Sequence, residues 1–221
     1  AIQLNQEMIS GYIMDDWPEL LEPGFVNLAH KEFSALFAER LNFIAGLLHE
    51  KPGVVALSLA ISPQFQFDGE DVRQRFVAHI QERYPDRIDL NRLWRSHLAD
   101  FDEITIWGDH PEHGYQNRRA FQFEWQRFQR ELISSFLAGI DQALCQTAPD
   151  LPLMLTLPNG AFLPAETRTG VNREAAAWMM DINGCMAASG PSEELYSINY
   201  PIPHVYYTLM HSYTPDKPIL N

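Results

Sequence analysis

Short apolar runs alternate with amphipathic helical patterns along this sequence, and the alternation limits the folds that it can adopt. Residues 54–61 and 153–157 are nearly continuous apolar runs of strand length. Such a run predicts a strand that is buried on both faces, as in parallel sheets. Another strand is predicted at 194–199, and shorter extended segments are predicted at 104–107 and 218–221.

Helical patterns fill the intervals between these runs. Apolar residues recur three and four positions apart over 33–49 and 121–145, which predicts two amphipathic helices. Trp125 and Trp178 lie in helical patterns and are predicted to belong to the core. The remaining predicted helices span 70–84, 90–98, 173–180 and 204–212. Strands that alternate with helices imply βαβ units and a parallel sheet.

Two parallel architectures fit this order, the doubly wound sheet and the (β/α)8 barrel. No strand is followed by a glycine-rich phosphate loop, and no cofactor is predicted. Each predicted strand instead ends in a polar or aromatic residue. This favours the barrel, because a barrel builds its sites at the carboxyl ends of its strands. The predicted fold is therefore α/β, a (β/α)8 TIM barrel.

The predicted strands are too few for a complete barrel, which has eight strands and typically about 250 residues. We expect residues 1–221 to be part of a single barrel domain and to cover roughly its last two thirds. The sequence starts with Ala1 and stops in the apolar segment before Asn221, which also suggests a longer polypeptide. Because an open barrel exposes strand edges, the remaining strands are expected from sequence outside these residues or from another chain.

Acidic residues outnumber basic ones, and this argues against two classes of partner. Sixteen Lys and Arg face 29 Asp and Glu, a formal net charge of −13 that repels phosphate backbones and anionic headgroups. No apolar run approaches the roughly 18 residues of a membrane span. Nucleic acid and membrane partners are therefore not expected. Cys145 and Cys185 are predicted to be unpaired structural thiols, and they leave the compartment undetermined.

Several short segments resemble a known family when they are read in order. The first, within 33–63, is a helix followed by a break at 51–53 and a strand, and the second, within 76–94, contains Tyr84, Leu90-Asn91 and Trp94. The others are 101–104, the strand 153–159, 197–201 with its Tyr-Pro, and the apolar segment 217–221. Together they cover about residues 25–221. In order and spacing they resemble the catalytic barrel of glycoside hydrolase clan A, and most closely the family-42 β-galactosidases.

The resemblance implies hydrolysis of β-linked sugars by two carboxyl groups, one acid/base and one nucleophile. Where the family carries its acid/base in an Asn-Glu pair, this chain reads Ile61-Ser62-Pro63, without a carboxylate. The nucleophile would follow Asn221, so no catalytic residue is assigned. Two functions remain open: a glycoside hydrolase with a displaced acid/base, or a catalytically degenerate barrel that binds carbohydrate or serves as an interaction domain. An unrelated barrel enzyme is a third alternative.

Carboxylates near the altered motif are candidates for a displaced acid/base. Asp68, Glu70 and Asp71 follow it closely, although acidic residues also favour a helix N-terminus, and that second interpretation is preferred. Asp15 and Asp16 follow a shorter apolar segment and could also reach a barrel mouth.

Four residues are the candidates for carbohydrate binding. Trp107 could stack on the apolar face of a sugar, or could belong to a solvated loop. Asn159, Asn199 and Tyr200 end predicted strands, where hydroxyl-binding groups belong, although Asn-Gly and Tyr-Pro also form turns. The loop after Trp107 carries two histidines and two acids, but no helical register aims them together, so no metal site is predicted.

Overall fold

The computed structural model of the chain describes nine segments of its sequence. They are residues 2–3, 26–29, 32–48, 51–61, 65–67, 69–106, 118–158, 171–186 and 201–220. The helices are α1 (Phe33–Leu48), α2 (Glu70–Arg83), α3 (Arg87–Trp94), α4 (Arg118–Thr147), α5 (Arg173–Met179) and α6 (Pro201–Tyr213), with a 3-10 turn at Phe101–Glu103. The strands are β1 (Ile2–Gln3), β2 (Val26–Asn27), β3 (Leu57–Ile61), β4 (Phe65–Gln66), β5 (Leu153–Pro158), β6 (Ile182–Met186) and β7 (Ile219–Leu220).

The main sheet is parallel and follows the chain order. Its strands are arranged β1-β3-β5-β6-β7, and every neighbouring pair is parallel. Strands β2 and β4 form a separate parallel pair. A doubly wound sheet reverses its strand order at a switch point, whereas a sheet that advances in one direction is the arrangement of a barrel. The parallel sheet that the sequence predicted is confirmed.

Leucines of the central strands form the main core with two long helices. Alternate residues of β3 and β5 point toward α1 and α4, because successive side chains of a strand point to opposite faces. The buried residues of this cluster on these four elements are Leu57, Leu59, Leu153, Leu155, Leu157, Phe33, Phe37, Leu41, Ala45, Ile133, Leu137, Ile140 and Leu144. The other face of the same strands carries Ser58, Met154 and Thr156 and corresponds to the inside of a barrel.

A second, aromatic core holds together α2, α3 and the first half of α4. Phe76 lies at its centre, with ring centroids 5.0 Å from Trp125, 5.3 Å from Phe128 and 5.7 Å from Phe121. Trp94 lies 5.3 Å from Phe121 and is fully buried. This helical unit follows β3 and β4 in the chain and precedes β5.

The structure confirms most of the predicted elements. The six predicted helices are present, with ends that differ by a few residues, and β3 and β5 are neighbouring parallel strands. The strand predicted at 194–199 lies outside the described residues. The place beside β5 is occupied instead by β6, which the sequence analysis missed. At 104–106 the chain is partly buried but is not paired as a strand.

Two predictions about single residues are corrected by burial. Trp125 is in the core as predicted, but Trp178 is 63% exposed. Helix α5 has only seven residues and buries Ala176 and Ala177, so Trp178 lies on its outer side. Cys145 is unpaired as predicted, but it is exposed on α4 and is not a core thiol.

A glycine is required at position 184 of β6, because the backbone there lies very close to β5. A Cβ at this position would lie 2.7 Å from Thr156 Cα and 2.8 Å from the carbonyl oxygen of Leu155. We expect Gly184→Ala to lower the free energy of unfolding by about 1–3 kcal/mol, because backbone must shift to admit the methyl group. Denaturant unfolding measures the change.

Gly46→Ala is the matched control for Gly184→Ala, since a Cβ at Gly46 of α1 meets nothing within 4 Å. This substitution should stabilise the helix by about 0.5–1 kcal/mol. Equal stability of the two variants would contradict the packing argument.

Candidate functional site

The carboxyl ends of the parallel strands meet at one edge of the sheet. Strands β3, β5 and β6 end there at Ile61, Pro158 and Met186. In α/β barrels this edge carries the site. Asn159 is the next residue after β5, and Ser62-Pro63 come directly after β3.

All four predicted sugar-binding residues lie outside the described residues. They are Trp107, Asn159, Asn199 and Tyr200. The same holds for Asp15, Asp16 and Asp68, and for the two histidines of the loop after Trp107. Their assignment stays a prediction. Within the segments that the structure describes, no three His, Cys, Asp or Glu side chains are grouped to hold a metal ion.

The inner face of the central strands is small and polar. Ser58 of β3 and Thr156 of β5 are buried on this face, and Gly184 of β6 is in register with Thr156. The Ser58 hydroxyl has no hydrogen-bond partner among the described residues. Such a face provides hydroxyl groups beneath the carboxyl edge, whereas the opposite face of the same strands is filled with leucine.

Strand β3 contains a bulge just before its carboxyl end. Ser58 is the Cα partner of Met154, but Ile61 is the partner of Thr156, so β3 advances three residues where β5 advances two. Bulges redirect side chains and occur frequently next to active sites. This one directly precedes Ser62-Pro63.

Two polar contacts hold the later strands in place. Asn183 of β6 is 1% exposed, and its amide donates a 2.7 Å hydrogen bond to the Thr214 hydroxyl just after α6. Lys217, just before β7, donates from Nζ to the carbonyl oxygens of Trp178 at 2.6 Å and Met180 at 2.7 Å, at the end of α5. These contacts position β6 and β7 against their flanking helices.

The chain that leads to Trp107 is anchored by the helical unit. Ile104 and Ile106 are buried in the aromatic core. Arg73 of α2 donates hydrogen bonds to the carbonyl oxygens of Asp102 at 3.0 Å and Ile104 at 3.4 Å. The path of the chain is therefore determined up to the residue before Trp107.

Glu70, a candidate for the displaced acid/base, is held as a carboxylate at the start of α2. Arg73 donates to both of its oxygens, at 2.7 and 2.8 Å, and Gln74 donates at 2.9 Å. These bonds, with that of Arg73 dominant, lower the pKa of Glu70 from 4.5 to about 2. A general acid must be protonated near neutral pH, so Glu70 is unsuited to that role. The helix-terminus interpretation accounts for its position.

The pKa of Glu70 can be tested directly. We expect its carboxyl carbon to titrate near pH 2 by NMR, because the folded chain favours the ionised form. The stabilisation by its contacts is present above the ordinary value of 4.5 and is lost as pH falls toward 2. Arg73→Gln should move the midpoint back toward 4.5, and Gln74→Ala should move it less. A wild-type midpoint near 4.5 would contradict the assignment.

A buried carboxylate that the sequence analysis missed joins α2 to α4. Glu124 of α4 is 2% exposed, accepts a 2.7 Å hydrogen bond from the Tyr84 hydroxyl and lies 3.1 Å from Arg83 Nε. His79 lies 3.9 Å from Glu124 and 3.2 Å from Glu131. A signal was present in the sequence, because Glu124 occupies the apolar stripe of its helix, where a charge needs partners.

Burial shifts the pKa values of His79 and Tyr84, which surround Glu124, and favours the neutral form of each. Desolvation lowers the pKa of His79, although Glu131 and Glu124 oppose that change. Burial and the hydrogen bond to Glu124 raise the pKa of Tyr84, which keeps the phenol protonated as a donor. The cluster thus joins one carboxylate to Tyr84 and Arg83 in the aromatic core region.

Parallel strands in chain order, with helices packed on the leucine face, define the class to which this fold belongs. The class is the α/β barrel, and the chain forms part of such a barrel. Among the residues that the structure describes, no helix has the length and apolar character that a bilayer crossing requires.

The family follows from a match to its sequence model. The glycoside hydrolase family 42 model, described as β-galactosidase, matches residues 27–185. The chain therefore belongs to this family, as the sequence resemblance predicted. A search of curated protein sequences gives no match.

Solved structures share the fold at low sequence identity. The β-galactosidase from Bacillus circulans sp. alkalophilus is 15% identical, with a TM-score of 0.70 over 91% of this chain and 31% of its own. The apo exo-carrageenase GH42 from Bacteroides ovatus is 14% identical, with a TM-score of 0.73 over 95% and 32%. The β-galactosidase from Rahnella sp. R3 is 14% identical, with a TM-score of 0.71 over the same shares. The chain thus spans about a third of the length of these proteins.

Proposed function

We propose that this glycoside hydrolase-like barrel binds β-linked sugars at the carboxyl edge of its sheet and is deficient in general acid catalysis. The observation that carries the proposal is the end of β3. This strand lies between β1 and β5 and stops at Ile61. The sequence there reads Ser62-Pro63, where the family resemblance puts the acid/base. Neither serine nor proline can protonate a leaving oxygen near neutral pH.

Among the described candidates for a displaced acid, the one that comes first after β3 in the sequence is unsuitable. Glu70 is ionised by its contacts with Arg73 and Gln74, so recruitment of this residue is not supported. Asp68 and Asp71 remain candidates for a displaced acid/base in the competing function, a working hydrolase. Carbohydrate binding without efficient hydrolysis is therefore the function that these residues support best.

Sugar binding is assigned to Trp107, Asn159, Asn199 and Tyr200. The buried Ile104 and Ile106 support the segment before Trp107, and Asn159 follows β5 directly. A flat aromatic face and amide or phenol groups suit a neutral polyhydroxylated ligand.

We further propose that the barrel is completed outside these residues. Strands β1 and β7 each pair on one side only within the described sheet, and a barrel of this class has eight strands. Further sequence or another chain would cover these two edges, because open edges promote aggregation.

Tryptophan fluorescence tests the binding proposal. Titration with methyl β-galactoside should quench the emission of the chain in a saturable manner, and Trp107→Ala should remove most of the response. Trp178→Ala is the matched control, because Trp178 is exposed on α5 outside the core. Unchanged quenching in Trp107→Ala would refute the assignment of Trp107, and absence of any saturable binding would refute the function.

A further inference from the structure

A cavity lies outside the sheet, where three helices meet. It has a volume of about 160 Å³ and opens to solvent. Its lining consists of Leu28, Ser34, Ala38, Arg75, Leu132, Ser135, Phe136, Gly139 and Ile140, and it is named the Arg75 cavity. An engineered cavity of about 150 Å³ in another protein accommodates benzene. The Arg75 cavity is therefore large enough for one small molecule.

The Arg75 cavity has an apolar floor and a polar rim. The buried Leu28 and Ile140 and the half-buried Phe136 form the apolar part of the lining, which is named the floor. Ser34 of α1 and Ser135 of α4 contribute hydroxyl groups, and the half-buried Arg75 of α2 contributes a guanidinium group. A ligand that fits this lining has a compact body for the floor and a polar head for the rim.

Arg75 differs from the neighbouring arginines of α2. Arg73 is paired with Glu70, and Arg83 is paired with Glu124. The ion pairs found among the described residues do not include Arg75. Its guanidinium is permanently charged and offers parallel N–H donors that match a carboxylate. The Arg75 cavity thus presents a cation without an internal carboxylate partner in the described part of the chain.

We propose that the Arg75 cavity binds a small carboxylate whose body packs on the floor. The carboxylate pairs with Arg75, and the hydroxyls of Ser34 and Ser135 can donate further hydrogen bonds to it. The net charge of −13 gives the protein no general attraction for anions, so recognition depends on this local arrangement. An aromatic acid and an acidic sugar share the required chemistry.

Isothermal titration calorimetry on the full chain tests the proposal. The probes are benzoate and galacturonate, each paired with a neutral counterpart, benzyl alcohol and galactose. At least one acid should bind with a dissociation constant of about 1 mM or below, and about tenfold more tightly than its counterpart. Benzoate alone indicates an aromatic body, and galacturonate alone indicates a sugar body.

Two variants separate charge recognition from folding. Arg75→Gln should weaken binding of the acid at least about tenfold, whereas Arg92→Gln, on the exposed surface of α3, should not. Gly139→Leu should abolish binding while the chain stays folded, because Gly139 lines the cavity, where a leucine takes up volume, and a Cβ there meets nothing within 4 Å. Absence of binding by both acids, equal binding of the neutral counterparts, or unchanged affinity in Arg75→Gln would overturn the proposal.

Discussion

A longer form of this protein that supplies a nucleophile should hydrolyse lactose far more slowly than an activated aryl β-galactoside. Loss of a general acid typically costs about 10²–10⁴ in rate. The cost is largest for a sugar leaving group, which needs protonation, and small for a nitrophenolate, which does not. If Ser62-Pro63 occupy the acid/base position, as we propose, the ratio of aryl to lactose turnover should exceed that of a family member with an intact acid/base by a similar factor.

The measurement compares initial rates on the two substrates with the chain and with any longer form that contains it. The chain itself should show negligible turnover of both substrates, since no nucleophile is assigned among residues 1–221, and a longer form that supplies one should cleave mainly the aryl substrate. Comparable, measurable turnover of the two substrates by the longer form would contradict the proposed deficiency in general acid catalysis. In that case Asp68→Asn should remove the lactose activity if Asp68 is the displaced acid.

Replacement of Glu124 by alanine should cause a large loss of stability. The substitution removes the carboxylate that accepts the hydrogen bond of Tyr84 and lies beside Arg83. Glu124 is only 2% exposed, so both partners lose it in a buried environment. Removing one partner of a buried pair leaves an uncompensated group, and we expect a cost of about 2–4 kcal/mol. The melting temperature should fall by roughly 2–4 °C for each kcal/mol.

Two further variants serve as controls for Glu124→Ala. Glu124→Gln keeps an acceptor for Tyr84 and should lose less stability. Glu131→Ala removes a carboxylate that is 51% exposed, pairs with Arg127 and lies 3.2 Å from His79, so its cost should stay below about 1 kcal/mol. If Glu131→Ala destabilised the chain as much as Glu124→Ala, burial would not be the cause.

Local patterns were sufficient for the regular elements with a uniform apolar periodicity. The predicted helix at 121–145 is α4, and the apolar runs at 54–61 and 153–157 contain β3 and β5. Strand β6 was missed because Asn183 and Gly184 interrupt its apolar character. Both residues depend on distant partners, Asn183 on Thr214 and Gly184 on the close approach of Thr156. A window on the sequence does not contain those partners.

For the candidate site, too, some features could be read from the sequence and others depended on the tertiary structure. That Ser62-Pro63, without a carboxylate, follow Ile61 directly is a property of the sequence. The assignment of Trp107, Asn159, Asn199 and Tyr200 to sugar binding is a prediction from the sequence. Whether Glu70 could act as an acid depended on the atoms around it, and Arg73 and Gln74 hold it ionised. Protonation depends on the neighbours of a group, and the sequence alone does not show how the side chains of these neighbours are oriented.

The sequence by itself determined the alternation of strands and helices and the family resemblance, and it is the basis for predicting that the acid/base motif is altered. These features depend on the order of residues along the chain, since hydrophobic periodicity and short motifs are local. Only the tertiary structure decided the strand order, the exposure of Trp178, the burial of Glu124 and the Arg75 cavity. Each of these depends on contacts between residues far apart in sequence, such as Tyr84 and Glu124, and the burial of a group is decided by what folding brings against it.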